Sequence, residues 1–257
     1  MSTGIEPSRL KAEIELTDAV KMKSLSLMPF AGVILLLLLW IPPRAIAAGE
    51  EQVCDVRADY ALGVEDYPDA IRLHSEIVRK NPGNALAHYH LGFAEGMMGN
   101  RAAEVREYQR ATSLGLKNWD LFLNLGLAQL GNSDLASATE SLRWAVLLGG
   151  DHFESHFNLG LVYERLGMLV DAEHEMLVSL RLNPWQPDAR NTLGVIYAEE
   201  GNMVRASRVW LEVVRTAPDY EPARTNLAIL SIRSEIVSKG APPSLLSFPV
   251  ATFKTVR

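Results

Sequence analysis

The sequence predicts an all-α fold built from stacked helix pairs, and three observations support this prediction. Apolar residues recur at helical spacing, as Leu159, Val162 and Leu166 do. Small residues return at the same places along the chain, among them Ala138, Ala172 and Ala206. A period of about 34 residues is typical of solenoids in which each unit is one helix pair. That period is marked by Leu91-Gly92, Leu125-Gly126, Leu159-Gly160 and Leu193-Gly194.

The period divides residues 51–239 into five units and a final capping helix. The predicted units are 51–84, 85–118, 119–152, 153–186 and 187–220, with the capping helix at 221–239. Glycine inside a helix costs about 1 kcal/mol relative to alanine. A glycine column therefore indicates that a neighbouring helix approaches closely there, and Ala58 and Ala228 continue the column at its ends.

A second column marks the turn inside each unit. Gly99, Gly167 and Gly201 occupy it, and Ser133 and Glu65 stand at the equivalent places of the other two units. The three glycines mark the expected turn between the two helices of a unit, and Ser133 and Glu65 are exceptions to the column.

The fifth unit combines these features most completely, with Leu193-Gly194, Tyr197, Gly201, Ala206, Trp210 and Pro218. This set resembles the tetratricopeptide repeat (TPR) pattern, and the resemblance extends over about residues 51–236. The first unit departs from the pattern with Arg57-Ala58, and Cys54, His88, Phe122, His156 and Arg190 replace the tryptophan of the pattern. The resemblance implies a right-handed α-solenoid of tetratricopeptide helix pairs with a C-terminal capping helix.

The resemblance also implies a concave groove, lined by the first helix of each unit, that binds a protein or peptide. The predicted groove is apolar at its centre and mostly acidic at its ends, which is typical of an interaction surface. The alternative is that these side chains pack on the next repeat. The predicted groove residues are Tyr89, Phe93, Met97, Leu123, Asn124, Leu127, Phe157, Asn158, Leu161, Arg165 and Asn191.

Three details refine this prediction. No lysine occupies a groove position, which argues against the TPR subtype that clamps a carboxylate terminus. Asn124, Asn158 and Asn226 share one place beside the groove, where an amide bonds either a ligand backbone or a neighbouring helix. Acidic groove positions include Asp55, Asp59, Glu154, Glu164, Asp188 and Glu199.

The N-terminal part has a different character. Residues 1–23 carry basic side chains, and residues 24–43 form an uncharged apolar run followed by Ala45-Ile46-Ala47. Residues 24–47 are predicted to be either a cleaved signal peptide or a single transmembrane anchor, with translation from Met1 or Met22. In both cases the positive-inside rule places the repeats outside the cytoplasm, as a periplasmic, secreted or membrane-anchored domain.

Composition excludes several functions. The chain carries 25 Lys and Arg against 31 Asp and Glu without a basic cluster, so we expect no nucleic-acid partner. No catalytic motif stands out, and neither an enzyme activity nor a cofactor is expected. The single cysteine, Cys54, excludes an intramolecular disulfide and is assigned to the core, and His152 and His156 lack a third ligand, so no metal site is expected.

These features predict a non-enzymatic scaffold that binds one partner and helps to assemble an envelope or secretion complex. Two alternatives remain open: a module that self-associates through its repeats, and an accessory subunit of an exported enzyme or maturation system. Residues 240–257 lose the repeat pattern and contain prolines, so they form a loose tail or pack back on the solenoid.

Overall fold

A computed structural model of the chain describes residues 54–238, which fold into α-helices without any strand. The predicted signal or anchor at 24–47 and the tail at 240–257 lie outside this part. Within it, no helix combines the length and apolar character that a membrane span needs. The helices are α1 Val56–Gly63, α2 Tyr67–Lys80, α3 Ala85–Met97, α4 Arg101–Ser113, α5 Trp119–Gly131, α6 Leu135–Leu148, α7 Phe153–Arg165, α8 Leu169–Leu182, α9 Pro187–Glu199, α10 Met203–Thr216 and α11 Glu221–Ser238.

The helices form five consecutive pairs. In each pair a first helix (α1, α3, α5, α7 or α9) is joined by a three-residue turn to a second helix, and the two pack together. Each second helix also contacts the first helix of the next pair, and α11 covers the last second helix, α10. The predicted all-α solenoid of helix pairs with a C-terminal capping helix is confirmed.

The glycine column lies where the two helices of a pair meet. A Cβ atom built on Gly160 would lie 2.9 Å from the Met176 Cε, and one built on Gly126 would lie 2.6 Å from the Leu142 Cγ. The partner is always the large buried residue sixteen positions later on the second helix. The pairing shows that the glycines permit close helix contact within a pair, which offsets their low helix propensity.

Every turn inside a pair contains one residue with a left-handed backbone. The φ angles are 80° at Gly99, 72° at Gly167 and 81° at Gly201, and they are 60° at Glu65 and 61° at Ser133. Glycine adopts such angles freely, whereas a residue with a Cβ atom is disfavoured by roughly 1–2 kcal/mol. The repeat geometry therefore requires this angle even in the two turns where glycine is absent.

We expect Ser133→Gly to stabilise the fold by about 0.5–1 kcal/mol, because glycine relieves the left-handed strain. A side chain placed at Gly167 meets no atom within 4 Å, so Gly167→Ala should destabilise by a similar amount through backbone conformation alone. Thermal melts followed by circular dichroism measure both changes. Equal melting temperatures for the three proteins would contradict this account.

Candidate functional site

The first helices form the inner wall of the stack. Successive first helices contact one another, from α1 with α3 to α7 with α9, whereas successive second helices do not reach this level of contact. When successive repeats lie closer together on one side of a stack than on the other, the stack curves toward that side. The concave wall is therefore made of first helices, where the predicted groove residues lie.

An apolar strip on α3 and α5 is accessible on this wall. The side chains of Phe93, Met97 and Leu127 are 36%, 53% and 37% exposed. Phe93 and Met97 are one helical turn apart on α3, and Leu127 is at the place of Phe93 in the next repeat. Tyr67 meets the Phe93 ring edge-on, with 6.5 Å between ring centroids. Exposed apolar side chains arranged in this way are available to a partner.

Tyr89 is held in place by its neighbours. Its hydroxyl donates to Asp120 Oδ2 at 2.9 Å and accepts from Asn124 Nδ2 at 3.1 Å. Burial, and next the negative charge of Asp120, raise the pKa of Tyr89 well above its usual range. Tyr89 and Asn124 therefore link α3 to α5 and present a fixed polar edge beside the apolar strip.

The other two asparagines at this place also bond within the protein. Asn158 Nδ2 donates to the backbone carbonyl of Glu154 at 2.8 Å, and Asn226 Nδ2 donates to Asn191 Oδ1 at 2.9 Å. Two roles were predicted for this column, a bond to a ligand backbone or a bond to a neighbouring helix. In the structure, all three asparagine side chains bond to their own helix or to a neighbouring one.

The remaining predicted groove residues differ in accessibility. Leu123, Leu161 and Asn191 are buried, and the two leucines pack into apolar clusters between repeats. Phe157 is partly exposed and packs on the same cluster as Leu161, and Arg165 is exposed at the end of α7. The accessible residues of the predicted groove can therefore contact a partner directly, whereas the buried ones could do so only after a rearrangement.

Two carboxyl groups lie close together beyond Phe157. Burial raises the pKa of Glu199 to about 7, with a further contribution from the charge of Glu164. Burial also raises the pKa of Glu164, whose Oε2 is buried and accepts no hydrogen bond from the described residues. This part of the wall therefore carries two poorly solvated carboxyl groups, which favours the binding of a cationic group from a partner.

We expect Glu199→Gln to change the pH dependence of stability. The pKa of Glu199 is higher in the folded chain, so folding favours protonation and loses stability as the pH rises from about 4.5 to about 7. Because partial exposure screens the charge, the variant should gain about 1 kcal/mol at pH 8 and nothing at pH 4. Urea unfolding across this range measures the effect, with the exposed Glu200→Gln as control. An unchanged pH profile for Glu199→Gln would refute the assignment.

A second accessible surface lies on the second helices, and it was not predicted from the sequence. A cavity of about 730 Å³ lies between α6, α7 and α8 and is lined in part by Trp144, Leu147 and Tyr163. Trp144 is 38% exposed and stacks on Phe122 at 5.8 Å. Its exposure matches that of Phe93, which makes Trp144 a useful comparison in binding experiments.

The predicted histidine pair separates in the structure. His156 Nδ1 lies 2.6 Å from Glu175 Oε2 and its Nε2 lies 3.2 Å from the Gly150 carbonyl, whereas the His152 ring stacks on Trp119. The bond to Glu175 raises the pKa of His156, so this histidine links the two helices of its pair. The two imidazoles do not converge on a common ligand position.

Another set of side chains does converge, at the first repeat. Ligand atoms of Cys54, Asp59, His74 and His90 all lie within 4.8 Å of one another. Burial, and then the charges of Asp59 and Asp55, raise the pKa of Cys54 to about 12, and burial and His90 lower that of His74 to about 4. This set could not be recognised from the sequence because its members come from three different helices and share no spacing motif. A single cysteine does not exclude a metal site that histidine and carboxylate side chains complete.

Comparison with known proteins agrees with the geometry. Residues 56–113 and 123–184 match the family model of the tetratricopeptide repeat, while no protein of curated function is significantly similar in sequence. The fold is similar to that of YrrB, described as a TPR protein with an unusual peptide-binding site, at 22% identity and a TM-score of 0.61, over 69% of this chain and 88% of that chain. It is also similar to MamA, at 20% identity and a TM-score of 0.60, over 64% of this chain and 95% of that chain. MamA 41-end from Desulfovibrio magneticus RS-1 gives 17% identity and a TM-score of 0.59, over 64% of this chain and 93% of that chain. Residues 56–113 and 123–184 are thus similar in sequence to the tetratricopeptide repeat, and the fold of the chain is a solenoid of such helix pairs.

Proposed function

We propose that this protein is a non-enzymatic scaffold that binds a segment of a partner protein along its concave wall. Tetratricopeptide repeats generally mediate protein–protein interaction. The observation that carries the proposal is the accessible strip formed by Phe93, Met97 and Leu127 on adjacent first helices. Large apolar side chains that a partner covers supply most of the energy of an interface.

The polar groups along the wall suggest the chemistry of the partner. Asp120 is fixed by Tyr89 near the apolar strip. Glu164 and Glu199 lie further along, partly desolvated and close enough to repel each other. A partner segment with apolar anchors and a Lys or Arg nearer its far end would cover the strip and neutralise these carboxylates.

The location of the scaffold is part of the same proposal. The basic, apolar and small-residue order of residues 1–47 supports export or anchoring, with the repeats outside the cytoplasm and a role in assembling an envelope or secretion complex. Protease added to spheroplasts, whose outer envelope is open and whose inner membrane is sealed, should digest the repeats if they are anchored outside the cytoplasm. Protection of the repeats until the inner membrane is lysed, with residues 1–47 intact, would rule out both export and external anchoring.

Photocrosslinking tests the binding surface directly. A photoreactive phenylalanine analogue at position 93 should crosslink one partner in the native cell, because this side chain lies on the proposed contact strip. The same analogue at position 144, which is equally exposed on a second helix, is the matched control. A partner that crosslinks from position 144 and not from position 93 would place binding on the opposite face and overturn the proposal.

A further inference from the structure

Four side chains meet where α1, α2 and α3 pack together, at the junction of the first and second repeats. Cys54 precedes α1, Asp59 lies on α1, His74 on α2 and His90 on α3. His90 Nδ1 lies 3.1 Å from Asp59 Oδ1, and His74 Nε2 lies 3.9 Å from the same oxygen. The two imidazole rings meet edge-on with 5.1 Å between centroids.

The polar atoms of this cluster are buried and poorly paired. Asp59 Oδ1, His90 Nδ1 and both ring nitrogens of His74, which is completely buried, make no hydrogen bond of good geometry. Their contacts are the electrostatic pairing of both imidazoles with Asp59 and a weak interaction of His74 with the Ala58 backbone. Buried polar atoms are nearly always paired, so several poorly paired atoms facing each other indicate a missing ligand.

The other repeats show that this cluster is not required by the fold. The place of His74 is taken by Tyr108, Leu142, Met176 or Trp210, and that of Asp59 by Phe93, Leu127, Leu161 or Val195. Apolar side chains therefore occupy both places in the other four units, in the core at the place of His74 and either on the concave wall or between repeats at the place of Asp59. Among the described residues, the first repeat is the only one in which both of these places carry side chains that can bind a metal ion.

We propose that Cys54, Asp59, His74 and His90 bind one divalent transition-metal ion, with Zn²⁺ as the best fit. A thiolate, a carboxylate and two neutral imidazoles are all ligands of Zn²⁺, which prefers four in a tetrahedron. Bonds of 2.0–2.3 Å place tetrahedral ligand atoms about 3.3–3.8 Å apart. Two separations here are 3.1 Å and 3.9 Å and all lie within 4.8 Å, so side-chain shifts of about 1 Å or less would bring the four atoms to that geometry.

Charge balance agrees with this assignment. Cys54 loses its thiol proton to solvent as the sulfur–metal bond forms, while the histidines bind through neutral nitrogens. The thiolate and the Asp59 carboxylate then offset the two charges of the ion, so no net charge is buried. The Asp59 side chain is partly exposed and provides access from solvent. The bound ion would join α1, α2 and α3.

Metal titration of the full-length chain, purified reduced and without a polyhistidine tag, tests the proposal. After treatment with a chelator, Zn²⁺ should bind at one ion per chain and raise the melting temperature by about 5 °C at saturation. Co²⁺ should give the visible absorption of a tetrahedral ion and a near-ultraviolet thiolate charge-transfer band. Failure of the wild-type chain to bind either ion saturably would overturn the proposal.

Variants identify the ligands. His74→Leu restores the residue type found at this place in the third repeat, so the variant should remain folded while Zn²⁺ affinity falls at least 10-fold. Cys54→Ser should lose the thiolate band of bound Co²⁺, and the exposed His174→Gln should bind as the wild type does. Full affinity in His74→Leu, a retained thiolate band in Cys54→Ser, or an equal loss in His174→Gln would each refute the four-ligand site.

Discussion

Gly194→Ala is expected to destabilise the fold by about 1–3 kcal/mol, although alanine favours helix over glycine. A methyl group at this place would overlap the indole of Trp210, lying 2.7 Å from both Cδ1 and Cε2. Trp210 is fully buried and its Nε1 donates to the Asn191 carbonyl at 3.1 Å, so the ring cannot move aside without losing that bond. Thermal and urea unfolding measure the loss.

Two other glycines provide matched comparisons. Gly160→Ala should be milder, because the added methyl group meets the flexible end of Met176, while Gly160→Leu should again overpack. At Gly131, at the end of α5, the nearest atoms belong to Arg101 at 3.8 Å, so alanine should be neutral or slightly stabilising. A Gly194→Ala protein as stable as Gly131→Ala would show that the helices of a pair do not need this close approach.

Phe93→Ala is expected to weaken partner binding by more than about 2 kcal/mol, which is roughly 30-fold in Kd. The side chain is part of the accessible strip, so truncation removes an anchor from the proposed interface while leaving the buried core intact. The helical circular-dichroism spectrum should not change. Once crosslinking has identified the partner, titration calorimetry measures the loss.

The controls separate the groove from other surfaces and from self-association. Trp144→Ala removes an equally exposed aromatic ring from a second helix and should bind the partner normally. Phe157→Ala should weaken binding less than Phe93→Ala, because Phe157 also packs on the cluster containing Leu161. If Phe93→Ala instead changes oligomeric size in light scattering, the strip is a contact between copies of this chain.

The helices, their pairing and their turns could be predicted from the sequence because these features repeat. A 34-residue period, the glycine column and the large residue sixteen positions later all depend on positions that are related along the chain. Ser133 and Glu65 show the limit of that reasoning. The period placed them in turns, and the structure shows that they adopt the positive φ of the glycines they replace.

The accessibility of the predicted groove was decided by tertiary structure. The places of Phe93 and Leu161 are equivalent in the repeat, yet one is accessible and the other is buried between repeats. Leu161 is buried in a cluster that also contains Val195 of the next first helix, whereas Phe93 is left accessible beside Leu127, which is accessible as well. The periodic pattern gives equivalent places and does not show which neighbouring side chains cover them.

By itself, the sequence determined that this chain is a stack of helix pairs with its first helices grouped on one wall. Tertiary structure alone decided which titratable groups meet. Burial and then the charge of Glu164, from the preceding repeat, raise the pKa of Glu199, and Asp59, His74 and His90 converge from three helices beside Cys54. Helical periodicity relates side chains three or four residues apart, whereas these contacts arise from packing between helices, where burial removes the water that would otherwise keep the groups independent.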